Sequence, residues 1–412
     1  MSKRRVVITG VGMITPVGNS PDEFWQAVCE GRSGIGPITQ FDVSQYDVRI
    51  AGEVRDFDPT DWIDRKLIKR CDRFVQFALA ATSLALSDAR LEITEGNRDR
   101  VGVLIGSGIG GMHTWEEQHE ILLTRGPSRV SPFLVPKMII DMASGMVSMQ
   151  TGARGPNSAI ATACASSGHA IGEAAVTIRR GAAEVMITGG AEATISPTAI
   201  AGFASAKAVS TRNDDPQRAC RPFDRNRDGF VVGEGSTILI LEELQHAQAR
   251  GATIWGELIG YGASADAWHI TAPDPKGTGA CLAMEAALDD AGLQPADIDY
   301  VNAHAPGTPD GDAMEAEALA ATFPDGVPVS STKPIHAHQL GATSATELVV
   351  CLLAIRNGLI PHTVNCDNLD ESIPQHLDIV RGEPRTTNVD VAMSNSFGFG
   401  GHNAVLIVSR FG

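Results

Sequence analysis

The sequence has little to staple it, little to anchor it in a membrane and too little positive charge for a nucleic-acid binder. Its seven cysteines are odd in number and scattered between Cys29 and Cys366, and no CxxC pair occurs. That argues against a disulfide framework or a zinc finger and for reduced thiols. No apolar run reaches the roughly 18 residues of a membrane helix. The opening MSKRRVVITG has a basic pair, but its apolar stretch is short and broken by glycine. It reads as a first strand, not a signal peptide. Together these absences predict a cytoplasmic chain with no membrane insertion. Lys plus Arg number 33 against 49 Asp plus Glu, a formal net charge of −16. Such a field argues against free nucleic acid as a main partner. An acidic protein partner would need a local basic patch to receive it. No linker rich in Pro, Ser or charge interrupts the 412 residues, although length alone allows about two or three domains.

What is present is alternation. RVVITGVG (5–12), RVGVLIGSG (100–108) and AEVMITGG (183–190) read as buried strands that end in glycine. Helical patterns lie between them, at FVQFALAATSLALSDA (74–89) and SSGHAIGEAAVTIRRG (166–181). A second series has the same order: 253–266, 281–293, 298–307, 347–358 and 391–401. Strands alternating with helices imply a layered α/β fold, and the repeated order suggests two similar halves, 1–252 and 253–412, around a shared core. RPFDRNRDGFVVGEG (221–235) mimics a calcium loop but lacks a downstream Glu at the required spacing. A charge-paired turn is expected there.

The chemistry centres on TACASS (162–167). Cys164 is ringed by small residues where a helix is expected to start. Free N–H groups and the helix dipole at such a place favour a thiolate, and small neighbours admit a substrate arm. Read alone, a free cysteine is as readily a small buried hydrophobe. Two histidine loops each follow a strand-like run: His304 in VNAHAPG, and His336 with His338 in SSTKPIHAHQLG. With Cys164 they form a candidate Cys-His-His set. The His336–His338 doublet has no third ligand at a fitting spacing, so no metal is expected. SNSFGFGGHN (394–403) reads as a flexible glycine-rich turn that presents N–H donors. It lacks a phosphate-loop Lys-Ser/Thr, and no cofactor is expected.

VVITGVGMITPVG, GSGIGG, TACASS, GGAEA, STRND, RPFDRNRDGF, GEG, NAH, STK and SNSFGFGGHN run nearly the whole chain. Together they closely resemble the β-ketoacyl-acyl-carrier-protein synthases, most like the synthase II group. The resemblance implies a thiolase-like α/β fold, two similar halves in a layered αβαβα architecture, usually dimeric. It also implies an acyltransferase. Cys164 matches the nucleophile that accepts an acyl chain. His304 and His338 match the pair that binds the malonyl thioester, promotes loss of CO₂ and stabilises the enolate, giving a 3-oxoacyl chain two carbons longer. Lys333 and Glu347 match the groups supporting the histidines. The N–H groups of Cys164 and Phe399 match the oxyanion hole, and Phe399 the gate. Ile109, Thr308 and Phe397 match positions on the acyl pocket and pantetheine arm. Lys66, Lys69, Arg70 and Lys207 match basic positions that dock an acidic acyl carrier protein.

Two departures adjoin the histidines. Pro306 stands where the family usually has a hydroxyl that contacts the pantetheine arm. Ala337, preceded by an extra His336, stands where it usually has Gly. The resemblance implies chain elongation in fatty acid synthesis by a homodimer, while these departures lean towards an alternative. The alternative is the ketosynthase subunit of a dissociated (type II) polyketide synthase, in a heterodimer with an inactive chain-length partner. Cys164 argues against this chain being such an inactive partner. The lack of any cysteine after Cys366 argues against a degradative thiolase.

Overall fold

Eleven strands form one hydrogen-bonded sheet in a computed structural model that describes residues 4–412. In chain order they are β1 (Val6–Ile14), β2 (Val101–Gly106), β3 (Asn157–Ile160), β4 (Val185–Glu192), β5 (Gly235–Glu243), β6 (Gly256–Ala265), β7 (Tyr300–Asn302), β8 (Pro328–Ser330), β9 (Asp378–Ile379), β10 (Val391–Gly398) and β11 (His402–Ser409). Their spatial order is β9-β8-β7-β10-β11-β6-β1-β5-β4-β2-β3. The two inner strands, β1 and β6, pair through only Val7–Glu257 and Ile8–Gly256, so the sheet is two sheets narrowly joined. Read outward from that joint, β1-β5-β4-β2-β3 and β6-β11-β10-β7-β8 repeat the same pattern, with two antiparallel pairings followed by two parallel ones.

The helices repeat as well. Helix α1 (Arg73–Ala89) packs on β1 and β5; α3 (Thr278–Ala291) packs on β6 and β11. In each half two glycines of the inner strand allow the helix to approach. A Cβ at Gly12 would lie 2.0 Å from the Ala81 carbonyl, and one at Gly262 would lie 2.0 Å from the Ala283 carbonyl. No side chain fits at either position. Helices α2 (Ser166–Arg179) and α4 (Thr343–Asn357) pack against each other and against strands of both halves. Every residue from Thr343 to Ile355 is buried, including Glu347, whose carboxyl is paired with the buried Lys333 ammonium. The window Leu340–Asn357 has the length and composition of a membrane span, which the reading of apolar runs missed, but 89% of it is buried inside the protein.

One local expectation changes. SNSFGFGGHN is a β-hairpin rather than a flexible loop: β10 and β11 pair in register from Val391–Ser409 to Gly398–His402. Gly400 and Gly401 take φ 83° and 73° in its tight turn, where glycine carries little strain. The basic run at 65–70 is a single turn, Arg65–Ile68, and α1 starts separately at Arg73, capped by Asp72. The 221–230 turn is charge-paired: Asp224 bonds Arg221 at 3.4 Å and the N–H groups of Asn226 and Asn368 at 2.9 and 2.8 Å.

Candidate active site

The candidate residues lie beyond the carboxyl ends of β3, β7, β8 and β10, where open α/β sheets leave a crevice for ligands. Cys164 sits in a 3₁₀ turn, Ala163–Ala165, directly before α2. His304 follows β7 by two residues. Lys333 and His338 follow β8, and Glu347 is on α4. Phe397 is the next-to-last residue of β10, and Phe399 occupies the hairpin turn.

The chain thus brings Cys164, His304 and His338 to one point. Cys164 Sγ is 3.1 Å from His338 Nε2, and the two imidazole centroids are 5.3 Å apart. One donor atom from each of the three lies within 4.8 Å of the others. His338 Nδ1 is 3.0 Å from the Thr343 hydroxyl, which can donate or accept and so satisfies either tautomer. The Phe230 ring meets His338 edge-on, with centroids 5.1 Å apart. Behind the histidines the Lys333 ammonium donates to the His304 carbonyl and to Glu347, and both side chains are fully buried. The His304 and Ala305 N–H groups donate to Glu315 at 2.9 and 2.6 Å.

Electrostatics set the resting state. Burial pushes the Cys164 thiol up to about 12, against the pull of the Lys333 charge and the Phe399 N–H. The resting group is therefore a thiol; the expected thiolate at the helix start is overridden by desolvation. Burial, then the Lys333 charge, holds both His304 and His338 well below the ordinary imidazole range. Both rings are neutral at pH 7. Burial raises Glu347 to about 7, and Lys333 works against that rise.

A cavity opens over this cluster, walled in part by Cys164, His304, Pro306, Thr308, Phe397 and Phe399. Gly398 lets the hairpin close on the thiol, since a Cβ there would lie 2.6 Å from the Thr162 carbonyl. Ile109 does not line the cavity; it is 39% exposed on the loop after β2. His336 is fully buried outside the cavity, its Nε2 3.0 Å from the Thr332 hydroxyl. Lys66, Lys69, Arg70 and Lys207 are exposed, and the Arg70 guanidinium lies 5.4 Å from the Phe133 ring centroid. Thr343, Phe230, Glu315 and Glu192 were not singled out from sequence. Only Glu192 left a signal, as an acid at the end of an apolar strand in GGAEA.

Residues 3–247 match the N-terminal domain of beta-ketoacyl synthase and residues 255–367 its C-terminal domain. The chain belongs to the β-ketoacyl synthase family. A 3-oxoacyl-[acyl-carrier-protein] synthase 2 from Synechocystis is 51% identical over 414 residues, spanning 100% of this chain and 99% of that one. The ishigamide ketosynthase/chain length factor superposes with a TM-score of 0.93 at 34% identity, over the whole of both chains. A ketosynthase solved in complex with its type II polyketide synthase acyl-carrier protein, bound to the hexaketide, gives 0.91 at 30% identity, again over both chains. The fold is accordingly thiolase-like, in two similar layered halves, and the enzyme class is acyltransferase.

Proposed function

We propose that this ketosynthase condenses an acyl chain held on Cys164 with malonyl-acyl-carrier-protein, releasing CO₂ and a 3-oxoacyl-acyl-carrier-protein, as in fatty acid elongation. The observation that carries it is the 3.1 Å approach of Cys164 Sγ to a neutral His338 with His304 alongside. In acyl transfer, Sγ attacks the thioester carbonyl while His338 Nε2 takes the thiol proton and returns it to the departing carrier thiol. The N–H groups of Cys164 and Phe399 receive the oxyanion. In condensation, His304 and His338 as N–H donors hold the malonyl carbonyl, stabilise the enolate left by CO₂ and release it onto the acyl carbon; the adduct collapses with cleavage of the acyl–Sγ bond, and Cys164 leaves as thiolate to be reprotonated. The buried Lys333–Glu347 pair fixes the His304 loop, and its cation adds to the burial that keeps both rings neutral. Thr308 and Phe397, on the cavity wall, guide the pantetheine arm; Ile109 stands off that wall, so its loop meets only the far end of an acyl chain that runs past the cavity. Mass spectrometry after incubation with acyl carrier proteins tests the reading: one acyl mass on the Cys164 peptide is expected. Its absence at every chain length refutes the assignment.

We divide the chain at 252/253 into a half bearing the nucleophile and a half bearing both histidines. We place the enzyme in the cytoplasm as a homodimer. Trp115, Leu123, Val135 and Met149 are 40–73% exposed, and β3 ends the sheet; exposed large apolar side chains and an open sheet edge are features that a second copy would cover. A monomeric mass in light scattering would remove the dimer. The likeness to a ketosynthase/chain length factor, with Pro306 on the cavity wall, favours a second reading: a type II polyketide ketosynthase in a heterodimer. Full elongation by the purified chain alone decides for the first.

A further inference from the structure

Glu192 is the last residue of β4, fully buried, and takes no part in the steps above. Five donors surround its carboxylate. Oε2 accepts from the Gly108 N–H at 2.6 Å and the Gly341 N–H at 3.0 Å. Oε1 accepts from the Ser107 hydroxyl at 3.0 Å and the N–H groups of Ile109 and Gly110 at 3.2 and 3.4 Å. No Lys or Arg pairs with it among the described residues, so backbone dipoles carry the compensation. The seat leaves no slack. A methyl at Gly108 would lie 2.8 Å from Oε2, and one at Gly341 2.7 Å from it.

The donors come from two segments far apart in sequence. One is the 107–110 loop, which carries Ile109. The other is the turn between His338 and Thr343. In that turn Leu340 shares an apolar cluster with Cys164, and Thr343 holds the His338 imidazole. One carboxylate therefore ties the loop proposed to meet the acyl chain to the turn that aims the base.

We propose that Glu192 is a positioning residue that makes acyl-chain seating and His338 alignment depend on each other, and so sets which chain lengths are elongated. The proposal rests on the ketosynthase reading.

Glu192→Gln keeps the shape but replaces one acceptor oxygen with an NH₂. Whichever way the amide turns, it faces N–H groups, so donor meets donor. Initial rates of condensation should be measured for wild type and variant across carrier-bound acyl chains of increasing length. A folded Glu192→Gln should lose at least tenfold in kcat and shift its ratio of kcat/KM between short and long chains several-fold, with Glu192→Asp restoring part of both. A uniform loss at every length, or no loss, overturns the proposal. If Glu192→Gln does not fold, Ser107→Ala removes one donor and leaves the carboxylate. A changed chain-length ratio then supports the proposal and an unchanged ratio overturns it. Wild type inactive at all lengths removes the ketosynthase reading and this inference with it; active wild type with an unmoved ratio removes this inference alone.

Discussion

The two histidines are alike in chemistry but not in placement. His338 Nε2 lies 3.1 Å from the nucleophile, whereas His304 is fixed through its backbone by Glu315 and Lys333. His304→Ala should therefore still form acyl-Cys164, while malonyl decarboxylation falls by roughly 10²–10³, the loss seen for one oxyanion donor. His338→Ala should slow both steps. Single-turnover acylation and CO₂ release separate the two, and identical profiles would show that the thiol needs no base. Ala337, one residue away, sits at φ 57° and ψ −179°, a region kept almost wholly for glycine that costs about 1–3 kcal/mol. The neighbouring backbone enforces it: His338 N–H donates to the Val231 carbonyl and Gly233 N–H to the His338 carbonyl, both at 2.8 Å. Ala337→Gly relieves the strain but costs roughly 0.5–1 kcal/mol of chain entropy. A net gain of about 1 kcal/mol and a higher Tm are expected. A lower Tm would mean that the methyl, seated against Gly52 and Gly233, contributes more by packing than it costs in strain. The departure was visible in the sequence; its backbone angle was not.

Among the elements, β5 meets the helix Leu244–Ala249 at a buried acid. Burial pushes Glu242 up, but Arg250, His246 and Thr9 together outweigh it and hold its carboxyl at about 2 against an ordinary 4.5. His246 Nδ1 is 2.7 Å away and Arg250 Nε 2.9 Å. A depressed carboxyl stabilises the fold above its unfolded value and loses that contribution as pH falls through its folded value. The difference is worth about 3 kcal/mol. Glu242→Gln should be destabilised by about that amount at pH 7, and the gap from wild type should close between pH ~4.5 and ~2. Denaturant melts across that range check it, and a pH-independent gap would contradict it. Strand β1 and the second part of α4, from residue 347 on, were legible because they are buried and rich in apolar residues. The helix Met112–Arg125 was not: Trp115, Leu122 and Leu123 face outward, so it leaves no buried stripe to find. The strands β7 and β8 were legible only as strand-like runs ahead of the histidine loops, since three residues are too short to show a period. In the site, Cys164, His304 and His338 stand out because motifs mark them. Thr343 and Glu315 escape notice because they act on one imidazole or on backbone N–H groups, contacts that leave no sequence pattern.

At the scale of the whole molecule, if a chain of net charge −16 is to receive an acidic carrier protein, as proposed, it must do so through a local exception to its own field. Lys66 and Lys69 offer one. They are exposed on and just after the single turn Arg65–Ile68, and Lys207 is exposed after the helix Pro197–Ser205. Arg70 is the weaker choice for a test because its guanidinium also lies against Phe133. The double variant Lys66→Glu, Lys69→Glu reverses the patch without touching the cavity. Rim charges act mainly on encounter rate and salt dependence, and within a Debye length of about 8 Å at physiological salt the patch outweighs the distant acids. The variant should raise the KM for carrier-bound acyl substrate at least tenfold and leave acylation by a small thioester nearly unchanged, since that substrate needs no docking. Adding salt should raise the wild-type KM, as the attraction is screened, and should lower the variant's, as a repulsion is screened. Opposite salt slopes on one substrate, with no slope on the other, belong to docking alone. Equal losses on both substrates would instead make the patch part of the fold and place the carrier on another face.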